Sequence, residues 1–150
     1  MNESKNIDRS YGFIVYRIEK GEIQLLILIN GQSISKDWMF PRGHKEGAES
    51  DDYTARRELY EETGLVPDHV LDHEPLVQIF PIHVEGEQIT RYLSLKIARI
   101  NPYQVVRLDK KEAPVYQWVN QEFFNKKVTL EQMNQVGNEA FRIIEAYHNH

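Results

Sequence analysis

Two stretches near the start of the chain are rich in aromatic and β-branched residues, which favour strands. They cover residues 11–18 and 23–29, and Lys20-Gly21 lies between them. This arrangement predicts a β-hairpin. The second stretch is almost wholly apolar, so we expect it to form a central strand that is buried on both faces.

A second hairpin is predicted later in the chain, over residues 75–84 and 88–100, with Glu85-Gly86 at its turn. Residues 38–40 and 115–119 predict two short strands by the same enrichment in aromatic and β-branched residues. The strands therefore fall into two groups along the chain, separated by residues 41–74.

A helix is predicted between these groups, over residues 51–63. Ser50 is a good N-cap residue, and Asp51 and Asp52 place negative charge in the first turn. Gly64 supplies the left-handed conformation that commonly ends a helix.

The last part of the chain predicts an amphipathic helix. Thr129 and Gln132 form a capping box at its start. Apolar residues then recur at helical spacing, despite an interior glycine at position 137. They are Leu130, Met133, Val136, Ala140, Phe141, Ile144 and Tyr147. We expect this apolar face to pack onto the body of the protein.

The order of strands, helix, strands and final helix predicts one α+β domain with a mixed sheet between helices. A chain of 150 residues suits a single domain with a substantial core, here residues 1–150. The N-terminus lacks an apolar segment, so it is not a signal peptide, and residues 1–9 are expected to be flexible.

Composition narrows the classes of function. The net charge is −5 and there is no basic block, which argues against binding to long nucleic acid but leaves a nucleotide substrate open. The absence of cysteine excludes disulfides, zinc–thiolate sites and cysteine nucleophiles. No apolar run approaches the length of a membrane span, so we expect a cytoplasmic protein without membrane contact. The sequence does not indicate an oligomeric state.

The predicted helix 51–63 carries three glutamates on one side. Glu58 and Glu62 lie one turn apart, and Glu61 lies beside them. Like charges at this spacing repel each other, which invites a bound cation. Carboxylate oxygens are hard ligands that suit Mg²⁺, with Mn²⁺ as an alternative. The competing interpretation is a solvated acidic surface.

Nine positions in residues 43–65 follow the pattern G-x5-E-x7-R-E-U-x-E-E-x-G-U, where U is a bulky aliphatic residue. They are Gly43, Glu49, Arg57, Glu58, Leu59, Glu61, Glu62, Gly64 and Leu65. This pattern resembles the Nudix box of the Nudix hydrolases. The resemblance implies an α/β/α sandwich in which the box forms a loop–helix–loop that holds Mg²⁺. It also implies hydrolysis of a diphosphate linkage joined to another moiety.

The same resemblance implies roles for individual positions. Glu58 would be the catalytic base, or would share that role with metal binding, and Arg57 would orient it. Glu61 and Glu62 would bind the metal, and Gly43 would offer it a backbone carbonyl.

Further carboxylates are implied around this set. Glu49 would lie nearby in an ancillary role. The family often adds a metal ligand on the loop before a late strand that carries a tryptophan, and Glu112, six residues before Trp118, matches that placement. The alternatives are that Glu112 is a solvated loop residue, or that Glu85 or Glu87 supplies this ligand.

The segment Trp38-Met-Phe-Pro-Arg-Gly-His44 resembles the Trp-x-x-Pro-Lys-Gly-His lead-in of the asymmetrical diadenosine tetraphosphate hydrolases. Arg42, which replaces the usual lysine, and His44 flank the box glycine, so we expect both to contact substrate phosphate. Dinucleotide hydrolases tend to carry a base-stacking tyrosine where this chain has Phe80. Trp38 and Tyr92 are further candidates for stacking, although core packing is the more common role of such aromatics.

These resemblances imply a Mg²⁺-dependent hydrolase that cleaves diadenosine tetraphosphate asymmetrically to ATP and AMP. A metal-activated water, deprotonated by Glu58, would attack one phosphorus in line. Three alternatives stay open: an RNA 5′-pyrophosphohydrolase, a general nucleoside triphosphate or nucleotide-sugar pyrophosphohydrolase, and a nucleotide-sensing domain without turnover. The lack of a basic face counts against the first, and the complete box counts against the last.

Overall fold

The computed structural model describes residues 6–29, 37–109 and 115–149. In chain order, their strands and helices are β1 (Ile7–Glu19), β2 (Glu22–Ile29), β3 (Trp38–Met39), β4 (Arg42–Gly43), α1 (Asp51–Thr63), β5 (His69–Val70), β6 (Leu76–Val84), β7 (Glu87–Arg99), β8 (Val115–Val119), α2 (Gln121–Lys127) and α3 (Glu131–His148).

These strands form one sheet in which β3, β2, β1, β7 and β5 are neighbours in that order. In addition, β4 pairs with β1, β6 with β7, and β8 with β2. Strands β1 and β7 run parallel, from Ile7 opposite Thr90 to Tyr16 opposite Arg99. The other pairs are antiparallel. The sheet is therefore mixed, as predicted.

Successive residues of β1 face opposite sides of this sheet, and helices cover both sides. Phe13 and Val15 are fully buried in a cluster that includes the α1 residue Leu59; we call this side the α1 face. Ile14 and Tyr16 are fully buried in a second cluster, with residues of α2 and α3, on what we call the α3 face. Cover on both sides explains the continuous apolar runs and confirms the predicted α/β/α sandwich.

Both predicted hairpins are present, each with a two-residue turn. Lys20 and Gly21 have φ of 52° and 77°, and Glu85 and Gly86 have φ of 52° and 82°. Positive φ at both turn positions is the type I′ geometry, whose twist matches that of paired strands. The glycines meet this requirement without strain.

Helix α1 has the predicted bounds because its local end signals act as expected. The Ser50 hydroxyl accepts a hydrogen bond from the Tyr53 N–H at 3.1 Å. At the other end, Gly64 adopts the left-handed conformation, with φ of 74°, and its N–H donates to the Tyr60 carbonyl.

The C-terminal helices differ from the prediction. Helix α3 begins at Glu131 with Leu130 as N-cap and has no side-chain cap hydrogen bond, so the predicted capping box of Thr129 and Gln132 is wrong. Helix α2 was not predicted; its N-cap is Asn120, whose side chain accepts from the Phe123 N–H. Its buried Phe124 belongs to the same core cluster as the apolar face of α3.

Strand β1 begins at Ile7, four residues before the predicted start. Residues 7–9, which the sequence analysis assigned to a flexible N-terminus, are paired with residues 90–92 of β7. None of the helices in the described parts of the chain is long and apolar enough to cross a membrane.

Candidate active site

The site is built where β4 meets α1. Strand β4 places Gly43 opposite Tyr11 of β1. A β-carbon added at Gly43 would lie 2.1 Å from Cδ of Glu58, so the end of the Glu58 side chain would have to move. The glycine therefore allows the Glu58 carboxylate to pack directly against this backbone. The loop of residues 44–50 begins directly after Gly43, so this contact fixes the distance between the start of the loop and the glutamate side of α1.

Arg57 joins the loop to the helix through several hydrogen bonds. Its Nε donates to Oε2 of Glu49 at 2.7 Å, and its Nη2 donates to Oε1 of the same carboxylate at 3.0 Å. Nη2 also donates to the carbonyl oxygen of His44 at 2.9 Å. Nη1 donates to Oε1 of Glu58 at 3.0 Å and to Oε2 of Glu61 at 3.1 Å. Arg57 thus hydrogen-bonds to Glu58 and to the loop at the same time.

Glu49 completes this network from the loop side. Hydrogen bonds from Arg57, and then from the Glu46 N–H, lower the pKa of Glu49 to about 2. The Thr54 hydroxyl donates to the same carboxylate at 3.0 Å. Bonding to Glu49 in turn raises the pKa of Arg57. This pair is charged under all ordinary conditions, so its effect is to fix the geometry of the site. Sequence reasoning gave Glu49 only an ancillary role and missed Thr54.

The glutamates of α1 supply a set of hard oxygen donors. One oxygen of Glu62, Oε2, is buried, whereas the side chain of Glu61 is half exposed. The donor type suits a divalent cation such as Mg²⁺. Within residues 6–29, 37–109 and 115–149, no three His, Asp or Glu side chains are already arranged around a common metal position. Glu58 and Glu61 instead accept hydrogen bonds from Arg57. These carboxylates would therefore have to exchange Arg57 for the ion in order to coordinate it together with Glu62.

The expected further ligand, Glu112, lies outside the described residues. Asp109 is the last described residue before residues 110–114. Its N–H donates to the carbonyl oxygen of Glu62 at 3.1 Å. The preceding Arg107 N–H donates to the Thr63 carbonyl at 2.7 Å. Residues 107–109 therefore lie along the last turn of α1. The competing candidates Glu85 and Glu87 lie at the β6–β7 turn.

A cationic group lies beside the glutamates. Arg42 interacts electrostatically with the carboxylates of Glu58, Glu62 and Asp8 and with the guanidinium of Arg91. Burial, followed by the nearby Arg91, lowers the pKa of Arg42 to about 10, which leaves it protonated at neutral pH. Arg42 thus interacts both with the acidic helix and with a second charged group.

That second group centres on Asp8. One oxygen of Asp8 pairs with Nε2 of His44, and the other accepts from Nε of Arg91 at 2.8 Å. Partial burial raises the pKa of Asp8, but His44 and Arg91 outweigh that effect and leave the pKa below its usual range. Sequence reasoning found Arg42 and His44 but missed Asp8 and Arg91. Their adjacency depends on the parallel register of β1 and β7, which no local motif encodes.

The three aromatic candidates lie at different places, and Phe80 is opposite Arg91 in the register of β6 and β7. Phe80 is only 7% exposed and belongs to the core on the α3 face, so the surface it offers is too small for base stacking. Trp38 pairs with Ile29 at the β3 edge and is half-buried. Tyr92 is half-buried, with the Arg9 guanidinium 5.1 Å from its ring centroid. The candidate site therefore consists of charged groups.

Comparison with solved structures shows the same fold in several proteins. The chain superposes on an Ap4A hydrolase from C. elegans, in a binary complex, with a TM-score of 0.77 and 21% identity, covering 92% of this chain and 98% of that one. The NUDIX domain of NrtR from Shewanella oneidensis, complexed with ADP ribose, gives 0.73 and 13%, covering 90% and 87%. The MutT protein from Methanosarcina mazei Go1 gives 0.65 and 20%, covering 89% and 95%. At these identities the likeness establishes the fold alone.

A search of curated proteins finds no match. The family model described as the NUDIX domain matches residues 8–135, most of the chain. This match includes the whole loop–helix unit that carries Gly43, Arg57 and the glutamates of α1. The chain therefore belongs to the NUDIX domain family and is a Nudix hydrolase, an enzyme of the class that acts on pyrophosphate bonds.

Proposed function

We propose that this protein is a Mg²⁺-dependent nucleoside polyphosphate hydrolase that cleaves diadenosine tetraphosphate asymmetrically to ATP and AMP. The carrying observation is that Arg42 interacts electrostatically with Glu58 and Glu62 of α1 and also with Asp8, the residue that His44 contacts. A polyphosphate chain can bind cationic groups while its bridging bond lies at the glutamates. The lead-in segment of residues 38–44 and the likeness to the C. elegans Ap4A hydrolase support this substrate.

Nudix hydrolases generally use divalent metal ions, and the donors of this site fit one in type. Glu58, Glu61, Glu62 and the Gly43 carbonyl would hold Mg²⁺ or Mn²⁺, with Glu112 as a proposed further ligand. When bound, such an ion neutralises phosphate charge and makes water a stronger acid. Glu61 is well suited to exchange Arg57 for an ion because its side chain is half exposed.

The chain's own residues have distinct tasks in this proposal. Glu58 accepts a proton from the attacking water, since Gly43 and Arg57 fix its carboxylate at the site. Arg42 and His44 bind phosphate oxygens and stabilise the charge that builds on them as the bridging bond breaks. No covalent intermediate with the protein is needed.

The test is product analysis of the purified protein with Mg²⁺ and four separate substrates: diadenosine tetraphosphate, ATP, ADP-ribose and a triphosphorylated RNA oligomer. We expect ATP and AMP from the dinucleotide, little attack on the other three substrates, and loss of activity in excess chelator. Turnover that persists in excess chelator would contradict the metal dependence. Preference for another substrate would overturn the dinucleotide assignment.

Nucleotide-sugar hydrolysis is the second candidate. The burial of Phe80 favours it, because little of this ring is exposed for the base stacking that is expected at this position in a dinucleotide hydrolase. The fold likeness to the NUDIX domain of NrtR complexed with ADP ribose points in the same direction. In the same assay, AMP and ribose 5-phosphate from ADP-ribose would identify this activity.

A further inference from the structure

The second charged group consists of Asp8, His44 and Arg91, and we call it the Asp8 group. The pairing of β1 with β7 positions two of its members. Asp8 of β1 lies opposite Arg91 of β7 in the parallel register. Arg91 alternates with Leu93 and Leu95, which are buried on the α3 face, so its side chain starts from that face. Its Nε and Nη2 both reach Oδ2 of Asp8 at 2.8 Å. Two backbone-paired strands thus hold an aspartate and an arginine beside each other.

The loop that follows β4 adds His44 to this pair. The next residue, Lys45, extends in the opposite direction. His44 reaches Oδ1 of Asp8. Lys45 instead pairs with Asp51 at 2.7 Å and lies over the Tyr11 ring, with Nζ 4.8 Å from its centroid. His44 is therefore directed to the Asp8 group specifically. Its side chain is 64% exposed, so it can also meet a ligand.

The group has an excess of positive charge next to the glutamates. Arg91 is close enough to Arg42 to lower its pKa, and among the described residues the carboxylate hydrogen-bonded to Arg91 is that of Asp8. Nε and Nη2 of Arg91 are the atoms that reach Asp8, and the side chain is 21% exposed. A partly exposed guanidinium close to a second guanidinium suits an oxyanion.

We propose, resting on the proposed function, that Arg91 is a further phosphate-binding residue and that Asp8 is a positioning residue that holds Arg91 and His44 toward the polyphosphate. Arg91 extends from the α3 face of the sheet, whereas Glu58 and Glu62 belong to α1, which covers the opposite face. Arg91 would therefore contact phosphates beyond the cleaved bond. Such a contact favours substrates with longer phosphate chains, because a short diphosphate would reach Arg42 without reaching Arg91.

The first experiment measures binding of inorganic tripolyphosphate and of pyrophosphate by calorimetry, in chelator, so that catalysis plays no part. We expect Arg91→Gln to weaken tripolyphosphate binding by about tenfold, the effect of losing a charge-assisted hydrogen bond. Pyrophosphate binding should change less. The matched control is Arg9→Gln, which removes the same charge one residue from Asp8. Arg9 stacks on Tyr92, which lies next to Arg91 and faces the opposite side of the sheet.

The second experiment tests positioning by Asp8 with Asp8→Asn and Asp8→Ala. The asparagine oxygen can still accept from Arg91, so Asp8→Asn should retain part of the affinity that Asp8→Ala loses. In the hydrolysis assay both variants should raise KM and change kcat little. The ring nitrogen chemical shifts of His44 should move in both variants and stay unchanged in Arg9→Gln. Thermal melts identify any variant that has lost its fold.

The outcomes separate this proposal from the proposed function. Equal weakening by Arg91→Gln and Arg9→Gln would show a general charge effect and overturn the proposal. Failure of the wild-type protein to bind tripolyphosphate would overturn it too. If selective weakening is found but diadenosine tetraphosphate is not hydrolysed, the phosphate-binding role of Arg91 stands and the substrate assignment fails.

Discussion

Glu58 is held by contacts on two sides. The Gly43 backbone lies against its carboxylate, and Arg57 donates to one of its oxygens. A side chain at position 43 or a shorter donor at position 57 would release it. The orientation that the proposed proton transfer to Glu58 requires is therefore present in the folded protein before substrate binds.

Replacing Glu58 with glutamine should remove activity and preserve the fold. Glutamine keeps the size and can still accept from Arg57, but it cannot take a proton from water. We expect kcat to fall by about 100-fold or more, with a melting temperature close to that of the wild type. The matched control is Glu122→Gln on the exposed surface of α2, which should leave kcat unchanged. Wild-type kcat in Glu58→Gln would contradict the assignment of Glu58 as base.

At the scale of single elements, prediction succeeded where the signals are local. The bounds of α1 follow from Ser50 and Gly64, which act within one turn of the helix ends. Helix α2 has seven residues, of which Phe124 alone is buried, so it offers no apolar period to recognise. The Nudix box was readable for the same reason as α1, because it is one contiguous segment. The Asp8–Arg91 pair joins residues 83 apart and requires knowledge of which strands are parallel.

The packing of α2 on α3 gives a prediction about Gly137. A β-carbon at this position would lie 2.0 Å from Cζ of Phe124, so the helix needs glycine despite its low propensity. Gly137→Ala gains about 1 kcal/mol of helix propensity but overpacks the core, which typically costs about 1–3 kcal/mol. We expect net destabilisation in urea unfolding.

Phe124→Leu provides the matched test of this cause. The smaller side chain leaves room for the alanine methyl group, so the double variant should be less destabilised than the sum of the two single variants. Strict additivity would show that the ring contact is not what requires glycine at position 137.

At the scale of the whole molecule, the Arg57–Glu49 pair connects the sheet to the helical layer. Arg57 belongs to α1, Glu49 to the loop, and the His44 carbonyl that Arg57 also binds directly follows β4. Strand β4 in turn pairs with β1. The site and the attachment of α1 to the sheet therefore depend on the same ion pair, so acid that protonates Glu49 should affect both.

The pH dependence of stability tests this connection. The pKa of Glu49 falls from an ordinary 4.5 to about 2 in the folded protein. A depressed pKa stabilises the fold fully above pH 4.5, and this contribution is lost as pH falls from 4.5 toward 2. Glu49→Gln should therefore melt at a lower temperature than the wild type at pH 7, and the difference should shrink across this interval. The control is Glu145→Gln on the exposed side of α3, where we expect no such converging difference. A wild-type advantage that is constant from pH 7 to pH 2.5 would mean that the Glu49 charge is not what binds α1 to the sheet.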